Sequence, residues 1–129
     1  MPRVFKAVDI EKEEKEVLKD YLDRHMPHVI CADQVVKGSK FTVKVKMGNE
    51  YPHPDDPDHF ISVIQLWNRE TLLAECRYTS GAFGHKPSHT EVDFYLTAPE
   101  VSMNLTAMSV CTKHGLWQSE EKPVKVTAE

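Results

Sequence analysis

Residues 40–47 read KFTVKVKM, with Phe41, Val43, Val45 and Met47 on one face and lysine and threonine on the other. A period of two predicts a strand with one face in a core. The alternation returns in TEVDFYLT (90–97) and VSMNLTAMSVC (101–111), which are separated by Ala98-Pro99-Glu100. HFISVIQLW (59–67) is denser in β-branched and aromatic residues and suits a central strand. TLLAECRYT (71–79) follows it after Asn68-Arg69-Glu70, a connection short enough for a hairpin. PVKVT (123–127) closes the chain as a short strand, and a first strand is expected just after His25. Ahead of these lies DIEKEEKEVLKDYLDRH (9–25), where Ile10, Val17, Leu18, Tyr21 and Leu22 fall near helical spacing. This predicts a short helix or helical turn, ended by Pro27, which disfavours helix at Met26.

About seven strands with turn signals between them predict an all-β fold. The expectation is a seven-stranded, immunoglobulin-like antiparallel β-sandwich with a short N-terminal helical or loop segment. Residues 1–129 are expected to form a single domain. Two long loops interrupt the pattern, GNEYPHPDDPD (48–58) and SGAFGHKPS (80–88). The three prolines of the first loop exclude it from a central strand.

Composition narrows the function classes. With 129 residues, 40% hydrophobic and 28% charged, the chain suits one globular domain. A net charge of −4 argues against a general nucleic-acid binder. No apolar run approaches the ~20 residues that span a bilayer. The N-terminus turns charged at once, so neither a membrane span nor a signal peptide is expected. The three cysteines, Cys31, Cys76 and Cys111, are widely spaced and form no CxxC, which points to a reducing cytoplasm. Cys31 and Cys76 sit in apolar surroundings and read as small buried hydrophobes.

The seven histidines matter by position. His25 lies where the helical segment gives way to the first strand, His53 and His59 bracket the proline-rich loop, and Cys111 and His114 bracket a tight turn. All five sit at element ends, where the loops of a sandwich cluster. A thiolate and an imidazole on one turn are common ligands of first-row metals. Pro54 and Pro57 stiffen the loop between the two central histidines, so less entropy is lost when both converge on an ion. Each motif alone reads equally well as an ordinary turn or solvated loop; together they point to a metal. His28, His85 and His89 have no such place and read as loop or surface histidines, with His28 expected nearest the site.

His25-Met26-Pro27, His53-Pro54 through His59-Phe60-Ile61, and Cys111-Thr112-Lys113-His114-Gly115-Leu116-Trp117 together resemble the superoxide reductases, the neelaredoxin and desulfoferrodoxin family. The likeness runs from about residue 20 to the end. It implies one mononuclear non-haem iron, cycling between Fe2+ and Fe3+. His25, His53, His59 and His114 would form a square plane around it, with Cys111 on the axis and a sixth position open. The implied reaction is one-electron reduction of superoxide to hydrogen peroxide. No cysteine precedes Cys31, so the one-iron form is implied. The family also implies a rubredoxin or another small electron carrier as donor, and a homo-oligomer, dimer or tetramer. The family's Glu-Lys-His-x-Pro slots hold Asp23, Arg24 and His25 here. In the family, that glutamate ligates oxidised iron, and Asp23 is one methylene shorter. The family lysine attracts superoxide and assists protonation. Arg24 keeps its charge but differs in hydration and geometry, and Lys113 is a second candidate for that role. Two other readings stand beside this one. The first is a non-enzymatic metal-binding sandwich. The second is a cupredoxin-like electron carrier, against which stands the absence of any methionine after Cys111.

Overall fold

The computed structural model describes residues 15–129. Helix α1 spans Lys15–His25. The earlier part of the predicted helical segment, with Ile10, lies outside the described residues. Nine strands follow: β1 Pro27–Ile30, β2 Gln34–Val36, β3 Lys40–Met47, β4 Ile61–Asn68, β5 Thr71–Arg77, β6 Glu91–Thr97, β7 Met103–Cys111, β8 Gly115–Gln118 and β9 Lys122–Thr127. One sheet has the order β1-β3-β6; the other runs β2-β9-β7-β4-β5, with β8 also paired to β7.

The expected all-β sandwich is what forms, with two strands more than the seven read from the pattern. Both additions, β2 and β8, are too short to show an alternation of their own. Tertiary pairing makes them: β2 runs parallel to β9, and β8 folds back antiparallel on the end of β7. β4 begins at Ile61 rather than at His59, because His59 and Asp56 exchange backbone hydrogen bonds and hold the loop apart from the strand.

The alternation in β3 sorts as predicted. Phe41, Val43, Val45 and Met47 are all buried and face Ile61, Ile64, Leu66, Leu105, Ala107 and Val124 in one core. β4 is central, between β5 and β7, as its dense apolar run suggested. At one end of the sandwich the C-terminal ends of β3 and β7, the start of β4 and the C-terminus of α1 come together. There the β4–β7 register shifts between Ile61 and Val63, a bulge that leaves Ile61 opposite Cys111. Such a bulge bends the strand and re-aims side chains at a sheet end.

Candidate metal centre

Four imidazoles stand in a ring at that end. Centroids of neighbouring rings are 5.0 Å apart for His25 and His53, 4.8 Å for His53 and His59, 4.8 Å for His59 and His114, and 4.9 Å for His114 and His25. Across the ring, His25 and His59 are 6.2 Å apart, a diagonal longer than any edge. Neighbours meet edge to face at 74–80°, whereas His25 and His59 are nearly parallel at 24°. Rings standing on edge around a common axis have these angles, with each aiming one nitrogen inward. Ligand atoms of His25, His59, Cys111 and His114 all lie within 4.8 Å of one another. His53 is outside that set of four, but its ring holds the remaining corner between His25 and His59.

Local structure fixes each ring. His25 ends α1, and its Nδ1 lies 2.6 Å from the Tyr21 carbonyl oxygen. A carbonyl only accepts, so Nδ1 carries the proton and Nε2 is left with its lone pair. His53 does the same through Nδ1 and the Pro54 carbonyl, at 2.7 Å. Its backbone also exchanges two hydrogen bonds with Ser88, which ties its loop to the loop 80–88. Cys111 and His114 sit on either side of a turn closed by Gly115, whose φ of 84° is left-handed and suits glycine. The His114 amide donates to Cys111 Sγ at 3.4 Å, which holds the sulfur inside the turn. Thr112 links this turn to the His59 segment. Its amide donates to the Phe60 carbonyl at 3.0 Å, and its Oγ1 accepts from the Phe60 amide at 3.2 Å.

Three nitrogens of the ring are unpaired, as is Nε2 of His28 outside it. Nε2 of His25, His53 and His59 is buried without a hydrogen-bond partner. Burying one such atom unpaired is unfavourable by about 1–3 kcal/mol. Three aimed into one ring, with a thiol beside them, fit a cation that takes their lone pairs. Nitrogen and sulfur donors suit a first-row transition metal better than calcium or magnesium.

Burial favours the neutral form of three of the imidazoles, as ligation requires. Burial pushes His25 down to about 4, against the pull of its bond to Tyr21, and the charges of His114, His59 and Arg24 lower it further. His53 is likewise pushed down to about 4, chiefly by burial. Burial also lowers His59, with His114 and Lys113 adding to it. A histidine depressed in the fold but ordinary in the unfolded chain stabilises the fold fully above its unfolded value. That contribution is lost as protons preferentially bind the unfolded chain. The metal-free protein is therefore expected to lose stability as pH falls from 6.5 toward 4, with little further loss from these groups below that. Urea-unfolding midpoints in chelator across that window check this; a flat profile would contradict it.

Aromatic residues wall the ring. Trp117 stacks on His25, with centroids 4.9 Å apart and planes at 15°. Tyr21 packs against His25, His114 and Trp117. The sequence placed Trp117 in a motif without a role and Tyr21 only on a helical face. The spacing of Tyr21 and His25, four residues on one helix, was the available signal. His25, His53 and Cys111 are buried, while His59 and His114 are half-buried, so solvent reaches the ring from their side. Lys113 is exposed between Cys111 and His114 on that flank.

The other sequence candidates are placed differently. Arg24 lies near enough to act on His25 and His53, but its guanidinium is paired with Asp20 at 3.1 Å, one turn back along α1. Asp23 is buried, and its carboxylate accepts from the backbone amides of Asn49, Glu50 and Tyr51. His28 lies on β1 opposite Lys46 and is lowered by burial, with Asp23 and Glu120 opposing. It neighbours Asp23 rather than joining the ring. His89 bonds through Nδ1 to the Met47 carbonyl, and His85 to the Asp55 carbonyl, so both brace the loops.

The chain is similar over most of its length to proteins of known family. The desulfoferrodoxin family model matches residues 10–120. A superoxide reductase of Thermococcus kodakarensis is 32% identical over 102 residues, covering 72% of this chain and 84% of that protein. Among solved structures, the superoxide reductase (neelaredoxin) from Ignicoccus hospitalis is 27% identical with a TM-score of 0.69, over 91% of this chain and 89% of that one. The superoxide reductase (neelaredoxin) from Archaeoglobus fulgidus in the reduced form is 26% identical with a TM-score of 0.66, over 94% and 98%.

Proposed function

The chain belongs to the desulfoferrodoxin family, and from that premise we propose that it is a superoxide reductase with one mononuclear iron held by His25, His53, His59, His114 and Cys111. The observation that carries this reading is the set of three buried, unpartnered Nε2 atoms directed into one ring beside Cys111 Sγ and His114. Iron bound there supplies the one electron which, with two protons, converts superoxide to hydrogen peroxide.

The chain's own residues do the rest. Five protein donors leave one side of the site for a small anion. The Cys111 thiolate, held by the His114 amide, would be the one anionic donor, and burial favours the neutral form of His25, His53 and His59, so a divalent ion there would keep net positive charge. Trp117 and Tyr21 close the ring where they pack on it, and the half-buried His59–His114 side admits superoxide and water-borne protons. Lys113, exposed on that side, attracts the anion despite the net charge of −4. Arg24 adds positive potential at His25 and His53, partly offset by Asp20.

The same proposal includes a rubredoxin or another small carrier as electron donor, a homo-oligomer (dimer or tetramer), and the cytoplasm as location, all by resemblance to the family. It takes residues 1–129 as one domain. Among the described residues, no helix is long and apolar enough to cross a membrane.

The test is to add superoxide anaerobically to the reduced, iron-loaded protein. Rapid oxidation of the iron with one peroxide formed per iron, and no dioxygen, is the expected result. Peroxide accompanied by equal dioxygen would mean dismutation, and no oxidation would mean a binding module only. Lys113→Met is expected to slow this step about three- to tenfold at low ionic strength and to flatten its salt dependence. A rate and salt profile identical to the parent's would remove Lys113 from the mechanism.

A further inference from the structure

Two buried aspartates flank the ring in sequence, each two residues from a proposed ligand: Asp23 before His25, and Asp55 after His53. Both carboxylates are turned onto backbone amides of a neighbouring segment. Asp23 Oδ2 accepts from Tyr51 at 2.8 Å, Glu50 at 3.0 Å and Asn49 at 3.2 Å, and its Oδ1 accepts from Asn49 at 3.1 Å. Asp55 Oδ1 accepts from Gly81 at 3.0 Å, and its Oδ2 accepts from Phe83 and His85, each at 3.0 Å. We infer that Asp23 and Asp55 are positioning residues that clamp the His53 segment from both sides, and that Asp23 holds this clamp instead of ligating the metal.

The clamps act in series. Asp23 fastens residues 49–51 to the C-terminus of α1, which carries His25. Gly48 makes the approach possible: its φ is +74°, and a Cβ there would lie 2.7 Å from the Tyr51 carbonyl oxygen and 3.1 Å from that of Asp23. The Gly48 amide also donates to the Met26 carbonyl at 2.9 Å. Asp55 then fastens the loop 80–88, whose Ser88 pairs with the His53 backbone through bonds of 2.9 and 3.0 Å. His53, like His59, lies on neither a helix, a strand nor the hairpin turn, and it is the member with a charge-assisted anchor on each side. Amide-to-carboxylate bonds are stronger than neutral ones, and three donors around one buried carboxylate leave it no reason to leave. To reach an ion, Asp23 would have to release Asn49, Glu50 and Tyr51 together, from a side chain one methylene shorter than glutamate.

This inference rests on the proposed reading of His53 as a ligand, and its test separates the two. In metal-free protein, Asp23→Asn is expected to speed amide exchange at Asn49, Glu50 and Tyr51 at least tenfold. Asp55→Asn is expected to do the same at Gly81, Phe83 and His85. Amides of Val63 and Leu105 in the core serve as the internal reference. Each variant is also expected to weaken cobalt(II) binding about 10–100-fold, the range seen when a group that orients a ligand is lost. Val124→Ala, a core truncation in β9, should lower thermal stability yet keep cobalt affinity. If an asparagine variant does not fold, Asp23→Glu and Asp55→Glu carry the comparison, retaining the charge but displacing it by one methylene. Unchanged exchange at the named amides would overturn the clamp. So would an Asp23→Asn protein whose cobalt affinity is intact while the absorption of its oxidised iron form is altered, because that is the signature of a lost ligand. Failure of the parent protein to bind cobalt(II) in a His53-dependent way would instead sink the reading of the site.

Discussion

Cys111→Ser is expected to abolish superoxide reduction while leaving the sandwich folded. Cys111 ends β7, is almost completely buried, and lies opposite Ile61 on one side and Gly115 on the other. Serine is slightly smaller and can still accept from the His114 amide, so the hairpin that positions His114 should survive. What is lost is the thiolate: a hydroxyl stays protonated near neutral pH and donates far less electron density. Disturbing a group that only orients a ligand already lowers activity about 10–100-fold, so removing the sulfur itself should lower it by at least ~100-fold. Mixing the reduced, iron-loaded variant with superoxide checks the rate. In the parent, the oxidised iron form should show a blue thiolate-to-iron charge-transfer band, and in Cys111→Ser that band should be absent. Retention of both band and rate would remove Cys111 from the site.

Leu66→Ala should have the largest effect on stability and almost none on the site. Leu66 is fully buried in β4, the central strand of the larger sheet. Its cross-strand neighbours are Ala107 in β7 and Ala74 in β5. Two alanines cannot swing into the space a leucine leaves, so the cavity should persist, and the loss should fall in the upper part of the about 2–5 kcal/mol range for such truncations. Thermal and urea denaturation of metal-free protein measure it. Leu66 lies five residues along β4 from Ile61, about 16 Å at the usual strand rise. Below the melting range, cobalt or iron binding should match the parent's, and a large drop in affinity would mean that the ring depends on core packing far more than its local bonds imply.

The strands that could be read from the sequence are those whose burial is decided by their own alternation. β3 is the clearest case, because each of Phe41, Val43, Val45 and Met47 faces the core and each position between them faces out or to the margin. β4 was legible as central because a strand covered on both edges and packed on one face tolerates few polar residues. β2 and β8 were not legible: three or four residues carry no period, and each exists because another strand offers an edge. The bulge at Ile61, which sets the height of Cys111 against β4, left no trace in the pattern either.

The proposed ligands were legible because metal chemistry restricts residue type. Histidine and cysteine at element ends, with stiffening prolines and a turn glycine, form a signal that survives without coordinates. Two features were not in it. The sequence holds twenty acidic residues and does not mark Asp23 and Asp55 as buried loop clamps, since that depends on which backbone amides face them once the loops pack. Nor does it reveal that Trp117 and Tyr21 close one side of the ring, since ring stacking follows from how α1 seats on the end of the sandwich. Residue chemistry and local periodicity, short-range properties of the chain, determined the fold class and the candidate donors. The meeting of those donors at one point, the choice of which nitrogen turns inward, and the bracing of the His53 loop were decided by long-range packing, because each depends on segments brought together only when the two sheets close.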